Sequence, residues 1–131
     1  MVRLKNITRD MLKIYKPVSG LDWMNYKIVK KDMTAHHIIK AEHGGELSQD
    51  NVALLMDVSH RYLHLIECKD ITAYNLLNKI FKMVNEQGHE PTQSQREIIE
   101  FILRTFEEEN KDKKNAKGKT LIKEEYLKRG L

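Results

Sequence analysis

The sequence predicts an α+β chain, mainly helical, and three observations carry that expectation. Beyond residue 69, two long stretches repeat apolar side chains at helical spacing. Residues 33–39 and 51–56 are short apolar and β-branched runs of the kind that form strands. Directly after the second run, His60 and His64 stand one helical turn apart.

Taken in order, residues 6–16 suit a short helix, with Asn6 or Thr8 as N-cap and Met11, Leu12 and Tyr15 on one face, ending before Pro17-Val18-Ser19-Gly20. Residues 26–29 and 33–39 suit extended chain, and Gly44-Gly45 with Ser48-Gln49-Asp50 marks a loop. Residues 51–56 resume as a strand, and Asp57 or Ser59 can cap the helix that follows through Arg61, Tyr62, Leu63, Leu65 and Ile66 to Cys68. Residues 70–87 form an amphipathic helix whose core stripe is Ala73, Leu76, Leu77, Ile80, Phe81 and Val84, stopped by Gly88. Two overlapping capping-box patterns, Thr92 with Gln95 and Ser94 with Glu97, open a last helix in which Ile98, Ile99, Phe101, Ile102 and Phe106 continue to Glu109. Residues 111–119 are charged and read as a linker or a frayed helix end, before a short docking helix with Leu121, Ile122, Tyr126 and Leu127.

At 131 residues the chain fits one domain with extensions. These divide into a basic N-terminal segment (1–20), a histidine-bearing module (21–68), two C-terminal helices packed on it (69–110) and a charged tail (111–131). The single cysteine, Cys68, excludes an intramolecular disulfide and paired-cysteine zinc sites, and is expected as a buried apolar residue. No apolar run has the length of a membrane span and no secretory leader is recognisable, so no membrane partner and a cytoplasmic location are expected. The net charge of +4 is unevenly spread. Residues 1–20 hold Arg3, Lys5, Arg9, Lys13 and Lys16 against Asp10, whereas the module is slightly acidic and needs basic extensions to approach phosphates. Arg3, Lys5 and Arg9 are therefore the candidate nucleic-acid clamp.

An i, i+4 pair on one helix face, His60 and His64, can give two imidazoles to one ion. On a strand, His36 and His37 point to opposite faces, so one can ligate while its neighbour faces substrate. Three neutral imidazoles with an open fourth position make a catalytic type of metal site.

These residues resemble the HNH endonucleases of the ββα-metal class. The resemblance covers residues 21–66 and rests on His36-His37-Ile38-Ile39, Gly44-Gly45, Asn51-Val52-Ala53-Leu54-Leu55 and His60. With His64 the pattern is H-H-x13-N-x8-H-x3-H, close to the colicin-type DNases. The resemblance implies a ββα-metal module in which His36, His60 and His64 ligate one divalent ion, His37 is the general base, and Asn51 holds the loop and the base in place. It implies a metal-dependent endonuclease acting on DNA, double-stranded by expectation. Lys40 and Arg61 flank the site and either contact the scissile strand or are solvated charges.

The chain departs from the family in three ways, one being that His64 either completes the ligand set or is a helix-face histidine outside it, leaving two protein ligands and more water. Met56 and Ser59 stand where many members carry the second cysteine pair of a zinc knuckle, so packing against the C-terminal helices is expected to replace that staple. His36 stands where many members have aspartate, and the softer ligand adds Mn²⁺, Zn²⁺ and Ni²⁺ to Mg²⁺ as candidate ions. The second function class is a catalytically inactive module of the same fold that binds nucleic acid or regulates. A stand-alone module of this size also resembles phage-encoded or mobile-element accessories, which implies a larger DNA-processing protein as partner.

Overall fold

The computed structural model describes residues 4–46 and 48–131, with the side chains of residues 4–6 outside the description. Strand β1 (Met33–His37) pairs antiparallel with β2 (Val52–Met56), in register from Met33 opposite Met56 to His37 opposite Val52. Every residue of β2 is buried, and since side chains alternate along a strand, both of its faces must be covered. Helix α1 (Leu4–Tyr15) packs on the two strands, as do α2 (Asp57–Lys69) and α3 (Ile71–Gln87), and α4 (Gln93–Asn110) packs on α3. The architecture is α+β, four helices around one small sheet.

Each helix follows from its apolar spacing. In α1, Ile7, Met11 and Tyr15 recur every fourth residue and are buried. The helix starts before Asn6 and Thr8, so neither can be its N-cap. Asp70 caps α3 by accepting from Ala73 N at 3.1 Å, and Gly88, at φ 75°, ends it in the left-handed conformation that suits glycine. Thr92 and Gln95 form the capping box of α4.

Several expectations need correction. Residues 26–29 are not a strand; only an isolated bridge between Leu21 and Lys27 lies there. Leu76 is exposed rather than core, because α3 buries a narrower stripe than its sequence offers; Ile98 and Phe101 of α4 are exposed as well. Cys68 is exposed too, since it lies about 200° around α2 from buried Ile66. Neither Asp57 nor Ser59 caps α2, which begins at Asp57 without a side-chain cap.

Asp22 serves that junction instead. Its fully buried carboxylate accepts from Met24 N at 2.8 Å and Tyr26 N at 2.9 Å on one oxygen. On the other it accepts from Met56 N at 2.7 Å and from Ser59 Oγ. The turn at 22–26 is thereby tied to the end of β2 and the first turn of α2. A hydrogen-bonded carboxylate links them here. Buried Arg96 of α4 supports the same turn through Asp22 O at 2.7 Å and Asn25 Oδ1 at 3.0 Å. In the tail, Tyr126 stacks on Tyr62 at 4.6 Å and Ile122 is buried, so this segment docks through a short 3₁₀ turn, Glu124–Leu127.

Candidate active site

Because α2 begins where β2 ends, its first turn lies beside β1. His60 meets Thr34 there: Nδ1 and Oγ1 are 3.0 Å apart. The Thr34 hydroxyl has one proton and donates it to Leu55 O at 2.8 Å, so the His60 contact requires an Nδ1–H donor. The lone pair of His60 therefore sits on Nε2. His36 is fixed in the opposite sense. Its Nε2 lies 2.9 Å from Asn78 Oδ1, an acceptor, which leaves the His36 lone pair on Nδ1. Asn78 belongs to α3, between Tyr74 and Phe81, whose rings meet the buried His36 ring edge-on at 6.3 and 6.2 Å.

The His36 and His60 rings are edge-to-face at 5.5 Å, and His64 stacks on His60 at 5.1 Å with 14° between planes. An imidazole lone pair lies in the ring plane, so the parallel rings of His60 and His64 do not aim at one point in this conformer. Accordingly, no three His, Cys, Asp or Glu side chains among the described residues are disposed to hold an ion as they stand. The donor chemistry nonetheless suits a divalent ion of borderline softness: two imidazoles have their tautomers set by second hydrogen bonds, and the third is exposed. The His64 side chain is 64% exposed, with Nδ1 3.5 Å from Glu67, so its ring can turn without disturbing the core.

His36, His37, Lys40, Ala41, His60, His64 and Tyr74 line one open cleft. The four histidines named from sequence thus meet, with Lys40 at the edge. Lys40 is paired with Glu67 and lies 5.8 Å over the Tyr74 ring. Burial works against the Glu67 carboxylate, but the hydrogen bond and charge of Lys40, with His64, hold its pKa below the ordinary value. Arg61 lies elsewhere on α2, paired with Asp57 at 3.3 Å and Glu125 at 3.1 Å. Arg9 is exposed on α1, whereas Arg3 and the Lys5 side chain fall outside the described residues.

Asn51 does not line the cleft; it shapes the loop behind it. Its Oδ1 accepts from Ile39 N at 2.8 Å, and its Nδ2 donates to Ile39 O at 2.9 Å and Glu46 O at 3.0 Å. One buried amide thus clamps the chain just after His37 to the returning loop. Gly45 is required by the same turn, because a Cβ there would stand 1.8 Å from Ile39 O.

Burial, aided by the charges of the neighbouring histidines and opposed by the Asn78 hydrogen bond, lowers the His36 pKa to about 4. His60 is lowered as well, first by burial and then by His64. Both rings are neutral near pH 7, the form a ligand needs. As pH falls, the unfolded chain protonates His36 near its ordinary 6.5 while the folded chain resists until about 4, so stability is lost across that window. The expected loss from His36 is roughly 3 kcal/mol. Melting in EDTA at pH 7 and pH 4.5 checks this: the Tm of the wild type should fall further than that of His36→Gln, and equal falls would exclude His36 as the titrating group.

The sequence offered no sign of Thr34 or Glu67 as partners of the histidines. Asn78 did leave a trace, as a polar residue flanked on its helix face by Tyr74 and Phe81. Searches against protein-family models, curated proteins and solved structures found no match to this chain.

Proposed function

We propose that the chain is a metal-dependent endonuclease of the HNH, ββα-metal type that hydrolyses phosphodiester bonds of DNA. The observation that carries this reading is the meeting of His36, His37, His60 and His64 in one cleft, two from β1 and two from α2. His36 Nδ1, His60 Nε2 and the ring of His64 would hold one divalent ion, Mg²⁺, Mn²⁺, Zn²⁺ or Ni²⁺. When bound, that ion would stabilise the charge developing on the phosphate and on the leaving oxygen.

The remaining chemistry belongs to the chain's own residues. No hydrogen bond among the described residues engages the His37 ring, so it is available to take a proton from water as the water oxygen attacks phosphorus. Asn51 keeps the backbone after His37 in register, and Asn78 and Thr34 keep two imidazoles in one tautomer each. Lys40 can leave Glu67 for a phosphate oxygen at the cleft edge, which makes it a better substrate contact than Arg61 with its two acidic partners.

The parallel stacking of His60 and His64 favours a second reading, an inactive module that binds nucleic acid. Relaxation of supercoiled plasmid in Mg²⁺, Mn²⁺, Ni²⁺, Zn²⁺ or EDTA separates the two. Nicked circles are expected with at least one ion and none with EDTA. Plasmid that is bound but never nicked with any ion would favour the second reading.

Asn51→Ala removes three hydrogen bonds from the loop and is expected to lower the nicking rate with a smaller loss of metal affinity. Unchanged turnover would reduce Asn51 to a loop residue.

A further inference from the structure

The exposed cations of α1 have companions that are distant in sequence. Arg9 and Lys13 of α1, with Lys30 and Lys31 of the 3₁₀ turn Lys30–Asp32, line one open cleft of about 560 Å³ floored in part by Leu12 and Met33. Asp10 and Asp32, next in sequence, do not line it. Among the described residues none of the four cations takes part in an ion pair, whereas Arg61, Arg96, Arg104 and Arg129 all do. Arg9 and Lys13 are also i, i+4 neighbours, a spacing at which like charges repel. Four unneutralised cations around one trough raise the energy of the free protein and are relieved by an extended polyanion.

We propose that this cleft holds the phosphate backbone of duplex DNA, offset by ~13 Å from the bond presented to His37. The offset rests on the nuclease reading; the backbone binding does not. Met33 opens β1 and His37 ends it, so at ~3.3 Å per residue the cleft and the base are ~13 Å apart. B-DNA advances about 34 Å per helical turn, so a ~13 Å offset is spanned within half a turn of one duplex. A duplex is favoured over a single strand because the floor is aliphatic and has no aromatic ring on which a base could stack.

The test uses the whole protein in EDTA, so that cleavage plays no part, and reads fluorescence anisotropy of a labelled duplex against salt. The triple variant Lys13→Gln, Lys30→Gln, Lys31→Gln is compared with a control triple, Lys117→Gln, Lys123→Gln, Lys128→Gln. All six lysines are exposed, so both variants should keep the wild-type melting curve. The first triple is expected to flatten the log–log salt slope by up to ~2.7, at about 0.9 per phosphate contact, and the control to leave it unchanged. An unchanged slope in the first triple overturns the proposal. So does binding of polyglutamate by the wild type as tightly as the duplex, which would assign the cleft to an acidic protein. A flattened slope in a protein that nicks no plasmid keeps the cleft and rejects the nuclease, and the reverse pattern rejects only the cleft.

Discussion

His37→Ala is expected to lower the rate of plasmid nicking by about 10²–10⁴, the usual cost of losing one positioned base. Duplex affinity and metal affinity should stay close to wild type, because His37 is assigned to the attacking water and is not one of the three rings assigned to the ion. The split between rate and binding is the informative part. His36 and His60 are each held by a second hydrogen bond, to Asn78 and Thr34, while the His37 ring at the cleft has none among the described residues. Nicking by the variant within a few-fold of wild type would move the base to another group in the cleft.

The largest effect on stability is expected at Asp22. Asp22→Ala leaves Met24 N, Tyr26 N, Met56 N and Ser59 Oγ without their acceptor inside the protein, at about 1–3 kcal/mol for an unsatisfied group. Partial relaxation brings the expected total to about 3–5 kcal/mol, a Tm lower by roughly 10–20 °C. Ser59→Ala should cost much less, since it removes one donor and leaves the carboxylate three others. A Tm drop below about 3 °C for Asp22→Ala would show that the turn is held by packing alone. Burial raises the Asp22 pKa against its four hydrogen bonds, so its contribution is intact in acid and weakens as pH rises through the folded value. The acid sensitivity expected of His36 has the opposite sign, and the two can be told apart.

The helices were legible because their signals are local. The stripes of α3 and α4, the Gly88 stop and the Thr92 capping box all lie within a few residues of what they determine. His60 and His64 were legible as a pair because the helix period turns an i, i+4 spacing into one face, whereas the strand period alone would part His36 from His37, both of which line the cleft. What escaped was set by contacts between residues far apart in sequence. Asp22 meets Met56 and Ser59 across more than thirty residues, and Asn78 meets His36 from a helix that periodicity marks only as core. Lys30 and Lys31 gain meaning from α1, which packs beside them. Exposure failed where an apolar pattern was wider than the face actually covered, as at Leu76, and where residue type suggested burial that position denied, as at Cys68.

The reading of the cleft as a hydrolytic metal centre is tested most directly by calorimetric titration of Zn²⁺ into metal-stripped protein, wild type beside His60→Ala, with circular dichroism to verify that both are folded. One ion per chain is expected for the wild type, with affinity at least tenfold weaker in the variant, since His60 stands between His36 and His64. No saturable binding by the wild type, or equal binding by folded His60→Ala, would contradict it.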